Sequence, residues 1–155
     1  MDTLIRLLAD GLLLVILAIS GCIGLWYIWR SAHKLHLISV VIMAGLTSLL
    51  IAKLISLVYQ PSTVRPFIEQ GVSAGAAYIN NPGFPSDHAL LATVAVAAVW
   101  WVTRNRTATI LLALCVVVMC VARVMALVHT PLDVVGGIAI GLAGALWYRT
   151  LRRKA

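Results

Sequence analysis

The chain is short of charge, and shortest of acid. Aspartate and glutamate supply five of its 155 residues, against twelve lysines and arginines, and charged residues make up 11%. Soluble domains carry roughly 25%, so there is too little charge to cover a water-exposed globule. With 62% hydrophobic residues and a mean hydropathy of +1.01, the chain reads as an integral membrane protein. Cysteine is also scarce. Cys22, Cys115 and Cys120 each lie inside an apolar run, and an odd number without a C-x-x-C pair excludes a disulfide framework or a cysteine metal site, leaving small packing residues. The net charge of +7 comes without a soluble basic face carrying aromatics, so nucleic acid is excluded as a partner. The start, with Asp2 and no clear cleavage site after its apolar run, is not a typical cleavable signal. No internal repeat is present, and 103–107 is a short polar turn rather than a linker. The length therefore suits one domain over 1–155.

What the chain has is apolar runs. Five stand out, at about 11–29, 37–59, 89–102 (its helix starting at Ser86), 109–128 and 132–148. Each approaches the roughly 20 residues that span a bilayer as a helix, the third being the shortest. They are too long and continuous for barrel strands. The expected fold is all-α, a polytopic membrane bundle of about five transmembrane helices. Residues 2–10, with Arg6 and Asp10, form an interfacial turn or extend the first helix. Gly137 and Gly141, a G-x-x-x-G with Gly144 close by, predict close helix packing without implying dimerisation.

Lysine and arginine orient the bundle. Arg30, Lys34, Arg104, Arg106, Arg149, Arg152, Arg153 and Lys154 fall on one side after five crossings, and the positive-inside rule makes that side cytoplasmic. Trp26, Trp29, Trp100, Trp101, Trp147 and Tyr148 gather at the same ends as expected interfacial anchors. His33 and His36, without a third ligand, read as interfacial rather than metal-binding.

Three stretches on the opposite side carry chemistry. The first is Gly83-Phe84-Pro85-Ser86-Asp87-His88, a loop running into a helix. Ser86 suits an N-cap, and a helix N-terminus favours anions such as phosphate. His88, in the first turn, can serve there as acid or base. The second is Arg123-x5-His129-x3-Asp133. The four-residue spacing lets the Asp133 carboxylate meet the imidazole if the turn is helical. That contact fixes the tautomer and frees the other nitrogen to attack, while Arg123 offers a planar fork for phosphate oxygens. The third is Lys53 with Arg65-Pro66, in and after the second run. The plain alternatives are a capped membrane helix, an interfacial histidine, and snorkelling Arg123 and Lys53. The connection from Gln60 to Pro85, with its turn-rich Asn80-Asn81-Pro82-Gly83, is long for a bundle, and such loops are usually functional or structured.

These three stretches, in this order, resemble the signature motifs of the type-2 phosphatidic-acid phosphatase superfamily, whose usual forms are K-x6-R-P, P-S-G-H and S-R-x5-H-x3-D. The resemblance spans about residues 53–133 and is most specific in the last two motifs. The departures are definite. Lys53 stands twelve residues before Arg65 rather than seven, where Val58 is found; Asp87 replaces a glycine; Ala122 replaces a serine. Five spans replace the six common in membrane members. Arg65-Pro66-Phe67 and Phe84-Pro85-Ser86-Asp87-His88-Ala89 look most like the bacterial undecaprenyl-diphosphate phosphatases of the bacitracin-resistance type.

The resemblance implies a phosphohistidine mechanism with no cofactor and no metal. His129 would attack phosphorus, oriented by Asp133. His88 would protonate the leaving oxygen, and Arg65, Ser86, Arg123 and Lys53 would hold phosphoryl oxygens. Asp87 is expected to pair with Arg65 or Arg123, with recruitment of a divalent ion as the alternative. The implied substrate is a polyprenyl diphosphate, met among membrane lipids on the outer face of a bacterial plasma membrane, with the C-terminus cytoplasmic. The rivals are another lipid phosphate (phosphatidylglycerol phosphate, phosphatidic acid or a phosphoprenyl sugar) and a non-enzymatic membrane subunit. Oligomeric state has no signature in the sequence.

Overall fold

A computed structural model describes residues 3–62, 64–81 and 83–154. Asp2 and Pro82, named above, lie outside the described residues, as do the side chains of Arg152, Arg153 and Lys154. The described chain contains helices and no strand. Five helices correspond to the five apolar runs: α1 (Thr3–Arg30), α2 (Lys34–Val58), α3 (Asp87–Thr103), α4 (Arg106–Met125) and α5 (Pro131–Gly144). α5 continues as a 3₁₀ helix over Ala145–Lys154. Residues 3–10 thus extend the first helix, through a π-helical segment at Leu7–Gly11.

Local chemistry sets the helix ends. α3 stops where Arg104 turns left-handed (φ 54°), and the Asn105 side chain then caps α4 by accepting from the Ala108 N–H at 3.1 Å. α5 opens on a capping box. Thr130 Oγ1 accepts from the Asp133 N–H, the Asp133 carboxylate accepts from the Thr130 N–H, and Pro131 occupies the first turn, where no N–H is missed.

The shortest of the five apolar spans, with the 3₁₀ extension of α5 counted, is the central helix α3. α1, α2 and α4 each reach the length and hydropathy of a membrane span, as does Pro131–Leu151, whereas α3 has 17 residues. At 1.5 Å per residue, 17 residues extend about 26 Å, close to the hydrocarbon thickness, and the neighbouring helices shield them. Ala89, Ala92, Val96 and Val99 of α3 pack against Leu13 and Ile16 of α1 and against Leu112, Val116 and Met119 of α4. Leu90 and Val94 pack against Val40, Ala44 and Ala52 of α2 and against Ile140 of α5. The glycine stripe acts as the sequence predicted, between α5 and its neighbours within the chain. A Cβ on Gly137 would collide with the Ser86 carbonyl oxygen, one on Gly141 would lie 2.8 Å from the Leu90 carbonyl oxygen, and one on Gly144 would collide with Ser48 Oγ. Tyr148 departs from the sequence expectation. It is fully buried, with its hydroxyl 3.4 Å from the Val94 carbonyl, because the 3₁₀ extension turns it into the core rather than toward the interface.

Among its described residues the long connection holds one helical turn, Pro66–Glu69, and otherwise lies as loop against the α4–α5 turn. The Phe67 N–H donates to the Leu127 carbonyl and the Gly75 N–H to the Ala126 carbonyl, both at 3.1 Å. Phe67 and Ala76 bury themselves against Ala122, Ala126 and Val128. The loop therefore forms the roof over the ends of α1, α3 and α4.

Candidate active site

The N-termini of α3 and α5 meet. The Ser86 N–H donates to the Asp133 carbonyl at 3.0 Å, a contact made possible by the absence of a side chain at Gly137. The loop before α3 is pinned on two sides. Gln60 Nε2 donates to the Phe84 carbonyl at 3.1 Å, and the Phe84 ring lies edge-on to Tyr59 and fills the space left by Gly136. Gly83, at φ +110°, carries the chain past the Arg65 guanidinium with room for no large side chain. Ser86 precedes the helix, as predicted for an N-cap, yet its hydroxyl does not cap. It is fully buried, and its Oγ has no hydrogen-bond partner among the described residues.

These elements enclose a cavity of about 440 Å³ beneath the loop. Arg65, Asp87, His88, Arg123 and His129 line it, and Leu13, Leu49 and Leu91 form its apolar flank. The structure thus gathers six of the seven residues singled out in the sequence, with Ser86 and Asp133 immediately behind the wall. Lys53 is the exception. It is exposed on α2 and does not line the cavity, because it lies one position off the buried stripe formed by Val40, Ala44, Ser48 and Ala52.

His129 is 4% exposed and sits in the turn between α4 and α5. That turn is not helical. The carboxylate reaches the ring because the capping box folds Asp133 back, leaving Oδ2 2.8 Å from the Thr130 nitrogen and 3.5 Å from His129 Nδ1. The second distance is a close polar contact rather than a formed hydrogen bond. It still faces Nδ1 toward the carboxylate and leaves Nε2 as the nitrogen available for attack. Burial pulls the His129 pKa below its ordinary value of 6.5. Asp133 opposes the shift, and Arg123 and Arg65 add to it. The lowered pKa favours the neutral imidazole, the form a nucleophile needs.

The two arginines are held differently. Arg65, 5% exposed, clasps the roof: Nε donates to the Asn81 carbonyl, Nη2 to the Ile79 carbonyl and to Asn81 Oδ1, and Nη1 to the Val128 carbonyl. Four of its five N–H donors are engaged. Burial lowers its pKa, with Asp133, Tyr78 and Asp87 opposing; it remains a cation. Arg123, 1% exposed, engages through Nη1, which lies 2.8 Å from Asp10 Oδ1 and 3.3 Å from His88 Nε2. Its Nε is buried with no partner among the described residues. The pairing expected of Asp87 falls instead to Asp10. Asp87, at the first position of α3, forms no ion pair among the described residues. Sequence reasoning had no signal for Asp10 beyond the oddity of an acid in an apolar run, since its partner lies 113 residues away.

Two histidines, two buried guanidinium groups and a serine hydroxyl without a hydrogen-bond partner among the described residues thus converge at helix N-termini inside an apolar helical bundle. The PAP2 superfamily matches residues 32–155, and the chain belongs to that superfamily. Its members are phosphatases, which makes this protein a phosphoric-ester hydrolase of the lipid-phosphate type. No curated protein and no solved structure matches the chain.

Proposed function

We propose that the protein removes the terminal phosphate of a polyprenyl diphosphate on the extracytoplasmic leaflet, through a phosphohistidine at His129. The observation that carries this reading is the pair of buried groups without a partner among the described residues, Ser86 Oγ and Arg123 Nε, beside His129. Buried polar groups of this kind are satisfied in most folded proteins, and a phosphoryl group supplies the acceptors they lack. Leu13, Leu49 and Leu91 give the cavity an apolar flank that suits an apolar tail. The prenyl assignment draws its support from the stretches at 65–67 and 84–89, and the outer-leaflet assignment from the distribution of lysine and arginine.

In the first step His129 Nε2 bonds to the terminal phosphorus as the bridging P–O bond breaks. The lipid monophosphate leaves with a proton from His88. In the second, His88 takes a proton from water, the resulting hydroxide attacks phosphorus, the P–N bond breaks and inorganic phosphate departs. Arg123, Ser86 and the remaining Arg65 donor hold the equatorial oxygens, where cationic and hydrogen-bonding groups do most in phosphoryl transfer. In the substrate-free arrangement Arg123 donates toward His88 Nε2; the negative charge of an arriving phosphate is what allows that nitrogen to take up a proton. Lys53 has no part in this reading, because of its exposure.

Phosphate release by purified protein in detergent, with chelator present, tests the proposal. The panel is a polyprenyl diphosphate, phosphatidylglycerol phosphate and phosphatidic acid. Release fastest from the prenyl substrate and lost in His129→Ala is expected. Preference for either other lipid overturns the substrate assignment, and full activity in His129→Ala overturns the mechanism.

A further inference from the structure

Asp10 lies outside the residues matched by the superfamily, on a helix that otherwise reads as a membrane anchor. A carboxylate in the apolar run Leu7-Leu8-Ala9-Asp10-Gly11-Leu12 is expensive unless paired, and intramembrane acids usually mark a functional position. Here each oxygen has its own partner. Oδ1 is 2.8 Å from Arg123 Nη1, and Oδ2 accepts the Ala77 N–H at 3.0 Å. The carboxylate sits in the π-helical segment Leu7–Gly11, a local form of helix frequent at functional sites. It therefore links three parts of the molecule: α1, the buried arginine of α4, and the roof of the cavity.

The geometry points to Asp10 as a positioning residue for the phosphate site, an inference that rests on the phosphatase reading above. With Nη1 held by the Asp10 carboxylate, the Arg123 guanidinium is restrained from turning about its long side chain, also once His88 Nε2 has taken up a proton. Its Nε–Nη2 edge, which has no hydrogen-bond partner among the described residues, is then the edge left for two phosphoryl oxygens in the bidentate manner of arginine. Asp10 also balances the buried charge of Arg123 before substrate arrives. Being an anion itself, it does nothing to attract a phosphate. Its contribution is orientation, which acts on the transition state rather than on ground-state binding.

That division gives the test. Asp10→Asn keeps the size and an oxygen for the Ala77 N–H but removes the charge that fixes Arg123. Asp10→Glu keeps the charge but moves it by one methylene. Both are measured with a short-chain prenyl diphosphate, per monodisperse enzyme after size exclusion, together with the inhibition constant of inorganic phosphate. Displacement of a substrate-positioning group by about 1 Å costs up to about 100-fold in rate. Asp10→Asn is expected to lower kcat at least about tenfold, and Asp10→Glu at least about threefold. KM and phosphate inhibition should be unchanged or tighter in both. Either folded variant with native kcat overturns the inference, as does a fall in kcat/KM carried by KM alone. A merely structural role would reduce the yield of monodisperse protein and leave kcat of the surviving fraction intact, which also counts against it. If Asp10→Asn does not fold, Asp10→Glu decides alone by the same criterion. Native protein and His129→Ala in the same preparation test the catalytic reading separately, so normal behaviour of those two with a native-like Asp10 variant overturns only the positioning role.

Discussion

His129 illustrates how one contact sets both tautomer and titration. Burial favours its neutral form, and Asp133 is the principal group working the other way. A lowered pKa keeps the imidazole unprotonated at pH values where an ordinary histidine would already be charged. The acid limb of kcat/KM is therefore expected below pH 6.5, the unperturbed value. Asp133→Asn removes the carboxylate that raises the pKa, so the limb should move to still lower pH. Because the amide also loses the charge that orients Nδ1, kcat should drop by on the order of 10²–10⁴-fold. A pH–rate profile of native protein and Asp133→Asn measures both effects, and a limb shifted upward in the variant would count against this assignment. His88, His129, Asp133, Arg65 and Arg123 were legible in the sequence because ionisable residues in an apolar chain stand out individually. What the sequence did not show is how each is held. The Arg65 clasp on the carbonyls of residues 79, 81 and 128, and the Asp10–Arg123 pair, join positions far apart in the chain whose partners carry no local pattern.

At the scale of elements, the site depends on how closely α5 approaches α3. Gly137 lets the Ser86 backbone lie against α5, so its replacement by alanine sets a methyl group against the Ser86 carbonyl oxygen, 3.0 Å from the Ala89 Cβ. Overpacking of this kind costs about 1–3 kcal/mol. It should also weaken activity, because it levers Ser86 away from Asp133. Gly45, on α2, meets nothing within 4 Å of an added Cβ. There the same substitution removes only the helix penalty of glycine, about 0.5–1 kcal/mol in favour of alanine. Unfolding of Gly137→Ala and Gly45→Ala in detergent should give opposite signs, and equal effects would show that the α3–α5 approach is not tight. The helices were legible because hydropathy and caps mark them: Asn105 and Thr130 each start a helix where the sequence places a polar turn. The rotation of each helix was not. α2 is apolar on every side, so nothing in its pattern said that Lys53 faces outward, and nothing in the last run said that Tyr148 faces inward.

Across the whole molecule, burial sharpens the difference in surface charge between the two ends of the bundle. Arg65 and Arg123, two of the four cations toward the site end, are 5% and 1% exposed and held within the protein. They are in no position to act as topological signals in the way of flanking charges. At the other end the cations lie at the surface among aromatic rings: Arg30 stacks 4.0 Å over Trp26, and Arg104 lies 4.3 Å from the Trp101 ring centre. Arg30 and Trp101 share one shallow cavity there, and Arg104 and Arg149 share another, so these charges belong to one face of the bundle. The surface charge difference between the two ends is therefore larger than the sequence count suggests, which supports the proposal that the cavity end faces outward. Two exposed positions report it: Ser73 in the roof loop and Thr107 at the start of α4. In a background with Cys22, Cys115 and Cys120 replaced, Ser73→Cys should react with a membrane-impermeant maleimide in intact cells. Thr107→Cys should react only after permeabilisation. The reverse pattern would put the cavity on the cytoplasmic face, and the substrate would then have to be a lipid phosphate of the inner leaflet.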